Sequence, residues 1–153
     1  MALHPLGIRI QAAGKRYGKQ WVLRHQDLEV PPGATAALLG ANGSGKSSLL
    51  RLMCGFDAPT EGSVQWTSNG VALDPMEVPL TLTYCAPDQS LIQDLTVDEQ
   101  FDLHFRLRDA MPEMDVVAAR NLALLSAKGN VRIRELSSGM RQRLSLTLAF
   151  ATS

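Results

Sequence analysis

Gly40-Ala41-Asn42-Gly43-Ser44-Gly45-Lys46-Ser47, followed by Ser48, has the spacing GxxxxGKS, and each residue type in it has a physical task. Glycine lets successive backbone N–H groups turn inward as a nest for phosphate oxygens. A helix beginning near Gly45 adds unsatisfied N–H donors and the positive end of its dipole. From this position Lys46 reaches β- and γ-phosphates, and the Ser47 hydroxyl enters a Mg²⁺ shell. A chance glycine-rich turn would not explain lysine and serine at these offsets between an apolar strand and an apolar-striped helix. The pattern points to a nucleotide phosphate site, with residues 40–48 as its cradle. Lys19 and Lys128 read more simply as solvated surface residues.

Immediately before the loop, residues 34–39 form a nearly continuous apolar run, which predicts a strand covered on both faces. Pro31-Pro32-Gly33 closes the preceding segment, because proline fixes φ and removes a donor. Residues 8–12 read as a strand and residues 21–30 as a pair of strand-like runs, with the polar stretch from Gly14 to Gln20 between them. Beyond the loop, residues 47–53 carry Leu49, Leu50 and Met53 at helical spacing, and Gly55 is placed to stop that helix. Further strands are expected over residues 61–66 and 80–85.

Past residue 90 the period becomes helical. Thr96 and Glu99 have the form of a capping box, and Phe101, Phe105 and Leu107 are expected on the packed side of the helix that follows. Residues 112–125 read as a second helix, with Pro112 in its first turn. Ser137 or Ser138 caps a third, on which Leu144, Thr147, Leu148 and Ala151 share a stripe. One α/β domain is expected, with a β-rich, loop-bearing core over 1–90, a helical subdomain over 91–138 and a final helix over 139–153.

The 153 residues carry 15 basic and 15 acidic side chains, with 45% hydrophobic residues. That composition is globular, and the zero net charge argues against a protein built to grip nucleic acid. No apolar run is long enough to span a bilayer, and the N-terminus lacks the order of a secretory signal. Cys54 and Cys85 form no CxxC pair and read as small packed side chains in a reducing, cytoplasmic setting. His4, His25 and His104 lack metal-ligand spacing.

Glu135 to Arg143 reads ELSSGMRQR, and with the loop it resembles the signature motif of ATP-binding cassette (ABC) ATPases, usually LSGGQ. The fold implied is a P-loop NTPase of the ABC type, with an N-terminal antiparallel β subdomain and a small helical one. By the resemblance, Ser137 and Gly139 contact the γ-phosphate of ATP held by a partner subunit. Ser138 and Met140 depart from the usual glycine and glutamine. Tyr17 resembles the aromatic that stacks on adenine, whereas Trp21 is expected to pack on the sheet. In Tyr84-Cys85-Ala86-Pro87-Asp88-Gln89, the family pattern places a glutamine after the proline to position Mg²⁺ and water. Here Asp88 holds that place and Gln89 follows, so either is a candidate. Lys46 and Ser137 stand 91 positions apart, which suits a compact cassette.

Family members carry a strand ending in aspartate, then glutamate, after the signature helix, and this sequence stops at Ser153 before any such segment. Asp98, Asp102 and Asp115 cannot substitute, since no strand leads to them. The core sheet is therefore expected to be incomplete, with residues 34–39 left without a neighbour, and the chain alone is expected to hydrolyse ATP poorly. The resemblance implies an ATP- and Mg²⁺-binding transporter subunit, peripheral on the cytoplasmic face of the membrane. Its implied partners are a second nucleotide-binding subunit, closing head to tail, and transmembrane permeases. The competing classes are a soluble ATPase acting on ribosomes or nucleic acid, and a regulatory module without turnover.

Overall fold

Ile8 and Ile10 alternate with the exposed Arg9 and Gln11, the two-residue period of a strand with one face on a core. In the computed structural model, which describes residues 5–86, 91–107 and 114–151, they lie in β1 (Leu6–Tyr17). β1 pairs antiparallel with β2 (Gln20–Val30) on one side and β3 (Glu61–Ser68) on the other; β4 (Val71–Ala72) completes the order β2-β1-β3-β4. The strand over 8–12 is present and longer than its apolar run, and the pair of runs over 21–30 is joined in one continuous strand. A bulge follows Ile10: Ala12 adopts φ 45° and donates its N–H to Asp27 Oδ1 at 2.8 Å. The extra residue turns Ala13 onto the same buried face as Ile10. Gly62, at φ 72°, passes so close that a Cβ there would lie 2.3 Å from the Ala12 carbonyl oxygen, so no larger residue fits.

Residues Met1–Leu82 form one unit and Thr83–Ser153 a second. In the first, helix α1 (Lys46–Met53) lays Met53 and Leu49 on the core of Ile10, Ala13, Leu28 and Val64. Gly55 follows at φ 70°, as expected of a helix stop. Trp66 of β3 is buried and donates its indole N–H to the Met53 carbonyl at 2.7 Å, tying the end of α1 to the sheet.

Two expected strands are absent. Residues 34–39 have no ladder partner among the described strands: Leu38 alone reaches the core, and Leu39 is 91% exposed. A buried parallel strand needs a neighbour to accept its N–H and C=O groups, and the four described strands pair only with one another. The segment does begin at the turn that Pro31-Pro32-Gly33 signalled, with the Ala34 N–H bonded to the Pro31 carbonyl at 3.1 Å. Residues 80–85 are likewise no strand. A helical turn, α2 (Val78–Thr81), takes its place, with Pro79 in the first turn where its missing N–H costs little. Val78 is fully buried against the chain at Gly55, a contact that the period of the sequence does not encode.

The second unit is a three-helix cluster of α3 (Val97–Leu107), α4 (Val116–Leu122) and α5 (Ser138–Phe150). Its core joins Leu91, Val97, Phe101, Ala119, Leu136 and Leu144. The capping box is complete: the Thr96 N–H reaches Glu99 Oε2 at 2.8 Å, and the Glu99 N–H reaches Thr96 Oγ1 at 3.2 Å. The Thr96 N–H, and after it the Thr96 side chain, hold the exposed Glu99 carboxyl below its ordinary pKa, so its contribution to stability is present above the ordinary carboxylate range and lost as pH falls through the folded value. Melting temperatures of the chain and of Glu99→Ala are expected to differ at neutral pH and to converge on acidification; a constant gap would show that the carboxylate is not the cap.

Phe101 and Phe105 share the inner face of α3, with ring centroids 6.1 Å apart. Leu107 does not join them. It stands 75% exposed, because two residues past Phe105 a helix has turned through about 200°. The helix expected over 112–125 is shorter, opening where Asp115 Oδ1 accepts the Ala118 N–H at 2.7 Å; Pro112 lies outside the described residues. Helix α5 carries the expected stripe, with Leu144, Thr147, Leu148 and Ala151 all buried.

Candidate functional site

The loop before α1 is shaped by left-handed glycines. Gly43 sits at φ 81° and Gly45 at φ 89°, the latter as the N-cap of α1 with no side-chain capping bond. The first-turn N–H groups of a helix have no intrahelical partner, and here no cap side chain takes them. A Cβ on Gly45 would lie 2.7 Å from Leu23 Cδ2 and 3.0 Å from the Val22 carbonyl oxygen, so the loop can approach β2 only with glycine there. Val22, Asn42, Gly43, Gly45, Lys46, Ser47 and Ser48 line a cavity of about 320 Å³. Gly40 and Ala41 complete the loop from behind. Lys46 Nζ donates to their carbonyls at 2.8 and 2.7 Å, and the Ser44 N–H donates to Ala41 O at 3.2 Å. An ammonium has three protons, so two brace the loop and one remains for an anion.

Tyr17 ends β1, opposite Gln20 in the hairpin, and Val22 of the cavity wall lies two residues further along β2. Strand rise makes that step about 7 Å. Lys15 Nζ sits 5.4 Å from the Tyr17 ring centroid, and the residue remains 46% exposed. Trp21, expected to pack on the sheet, is half-buried beside the guanidinium groups of Arg16 and Arg24, 5.5 and 4.7 Å from its ring centroid.

In the second unit, Ser137 is the N-cap of α5, and its Oγ accepts the Met140 N–H at 3.3 Å. Of the two serines the sequence left open, Ser137 therefore caps. Capping uses an acceptor lone pair, which leaves the hydroxyl proton free to donate. Ser137, Ser138 and Gly139 are exposed, and a Cβ on Gly139 would meet nothing within 4 Å. Buried Leu136 anchors the turn, and its carbonyl accepts from Arg141 Nη1 at 2.6 Å. Replacing Ser137 by alanine is expected to cost about 1 kcal/mol of stability in denaturant unfolding; no loss would mean that α5 starts without its cap.

Loop and signature turn thus stand as two exposed, donor-rich helix starts, at the motifs the sequence singled out. The family profile described as ABC transporter matches residues 23–153. The chain belongs to the ABC transporter family. It is 31% identical over 148 residues to the Nod factor export ATP-binding protein I of Cupriavidus pinatubonensis, a match covering 93% of this chain and 45% of that protein. It is 32% identical over 150 residues to the sulfate/thiosulfate import ATP-binding protein of Mesostigma viride, covering 95% and 42% respectively. The chain spans about half the length of these curated relatives. Among solved structures, an ATP-binding cassette in a dimeric post-hydrolysis state with ADP and Pi superposes with a TM-score of 0.73. That match has 25% identity and covers 94% of this chain and 69% of that one.

Within this ABC transporter chain, Asp88 and Gln89 lie outside the described residues. The place of Val22 in the cavity wall and the bond from Arg141 back to Leu136 are not expected from the sequence, which marks Arg141 only as part of the basic start of its helix. Val22 sits inside an apolar strand, with no local signal that it faces the loop, whereas the position of Arg141 in the motif's first helical turn could have suggested a contact back to the turn. Cys54 is half-buried and burial pushes its thiol pKa up, as befits an inert side chain, while Cys85 is exposed rather than packed. Among the described residues no group of three or more His, Cys, Asp or Glu could hold a metal ion, and no helix is long and apolar enough to cross a membrane.

Proposed function

We propose that this chain is part of the ATP-binding subunit of a membrane transporter, in which two cassettes close head to tail around ATP and drive movement in transmembrane permeases. The observation that carries the proposal is the loop over 40–48: uncapped helix donors, left-handed glycines and the braced Lys46 surround one cavity. Gly43 and Gly45 let the backbone approach phosphate oxygens, and Lys46 directs its remaining proton and its charge into the cavity. Tyr17 serves as the platform for the base. Ser137 and Gly139, at the start of a 13-residue helix, present a hydroxyl proton and a backbone donor suited to the γ-phosphate of the partner's ATP.

For Mg²⁺, the donor set fits an ion held mostly by phosphate and water, as Mg²⁺ commonly is. Ser47 lines the cavity, no carboxylate does, and Asp88 or Gln89 is the further candidate. When bound, the ion supplies charge neutralisation at the phosphates. The described lining binds and orients but holds no group to activate water; hydrolysis belongs to the whole subunit. We assign translocation without a direction, since the relatives named for export and for import match this chain equally well. The subunit is placed on the cytoplasmic face of the membrane through protein contacts.

Calorimetric titration of the purified chain with Mg-ATP is expected to give saturable binding, displaced by tripolyphosphate. Sedimentation is expected to show ATP-dependent self-association that Gly139→Asp weakens. Absence of nucleotide binding would remove the proposal. ATP-dependent capture of ribosomes or DNA rather than membrane proteins would replace it with a soluble ATPase.

A further inference from the structure

We propose that Asp57 is a positioning residue, which fixes Tyr17 for contact with the nucleobase and ties it to the helix that carries Lys46. The inference rests on the nucleotide reading of the loop. Tyr17 closes a hairpin, and a side chain at a strand end beside a turn ordinarily has rotamer freedom to lose when it meets a ligand. Here that freedom is already restricted. The Tyr17 hydroxyl donates to Asp57 Oδ2 at 2.8 Å. The same carboxylate receives Arg51, with Nε 3.0 Å from Oδ2 and Nη2 3.4 Å from Oδ1, a two-point grip on the last turn of α1. Arg51 stands five residues after Lys46, so one carboxylate joins the far end of the loop's helix to the proposed base platform.

The surrounding chain holds this arrangement from several sides. Lys15 Nζ donates to the Ala58 carbonyl at 2.7 Å while lying over the Tyr17 ring. The Arg16 N–H donates to Thr60 Oγ1 at 3.1 Å, and the Thr60 N–H to the Gly14 carbonyl at 2.7 Å. Residues 57–60 therefore clamp the end of β1, from Gly14 to Tyr17, and Asp57 is the member that touches Tyr17. The carboxyl group is largely covered and is held below the ordinary carboxylate pKa, first by the Arg51 hydrogen bond and then by Tyr17, so it is ionised at neutral pH. A purely structural ion pair would explain Arg51 with Asp57, but not why the third partner is the exposed aromatic beside the loop's hairpin.

The test compares dissociation constants for Mg-ATP and for Mg-tripolyphosphate, which has the phosphates but no base. Tyr17→Ala is expected to weaken ATP by about 5- to 100-fold and leave tripolyphosphate unchanged. Tyr17→Phe and Asp57→Ala are each expected to weaken ATP by about 2- to 10-fold, again sparing tripolyphosphate. Combining them should add little beyond the stronger single effect, since both remove one hydrogen bond. Asp57→Asn, which keeps an acceptor for the tyrosine, should restore most of the ATP affinity. The proposal is overturned if Asp57→Ala leaves ATP affinity intact, or if it weakens both ligands alike as a folding defect would. Tyr17→Ala without effect would remove the base platform itself, and a wild-type chain binding neither ligand would remove the nucleotide site.

Discussion

Lys46→Ala is expected to weaken Mg-ATP binding by about 10- to 100-fold, the size of one or more lost hydrogen bonds from a charged donor. The structure gives two reasons for so large an effect. The ammonium is the charge at a cavity whose other described lining is neutral, so its removal takes away the main Coulomb attraction for a polyphosphate. It also braces the loop through the Gly40 and Ala41 carbonyls. Without that brace the nest of N–H groups must be ordered by the ligand, at an entropic cost the wild type has already met in folding. Lys46→Arg tests the second reason. A guanidinium keeps the charge but spreads its donors over a planar fork, so it should restore the attraction without the same two-carbonyl grip, and affinity should fall between wild type and alanine. Unchanged affinity in Lys46→Ala, measured by titration at constant ionic strength, would show that the cavity is not the phosphate site.

The largest stability effect is expected from Phe101→Ala, about 3–5 kcal/mol. Phe101 is fully buried and stacks on Phe105, in a core shared with Leu91, Val97, Ala119 and Leu136. Helix α3 has 11 residues, too few to persist in water without tertiary packing. Its buried ring is therefore a principal reason the helix holds. Two neighbours are small: Ala119 and Ala123 carry only a methyl group, with no rotamer that can move into the space, so the cavity would collapse only partly. Phe101→Leu should lose markedly less. Denaturant unfolding followed by circular dichroism reads the difference; a loss below about 1 kcal/mol for the alanine variant would mean the site repacks freely. Because α5 shares this core, such unfolding would also release the signature turn that Leu136 anchors.

What could be read directly from the residues was the chemistry that neighbours in sequence settle among themselves. GxxxxGKS specifies its own loop, because the left-handed Gly43 and Gly45 and the helix start at Lys46 lie within a few residues of one another. The Thr96 and Glu99 box, the Pro31-Pro32-Gly33 turn and the Leu144 to Ala151 stripe are legible for the same reason: each interaction spans three or four residues. Tertiary structure decided the rest. Residues 34–39 are apolar enough for a buried strand, yet a strand exists only where another backbone accepts its hydrogen bonds, and none of the described strands does. Leu107 is as apolar as Phe105 but turns outward with the phase of a helix whose buried face is set by α4 and α5. Val22 faces the loop because Gly45 comes within van der Waals distance of β2, and Asp57 meets Tyr17 across 40 residues of chain. Sequence periodicity marks which residues prefer burial. Which partner each one meets is decided by contacts distant in the chain, whose free energies appear only when the fold brings both sides together.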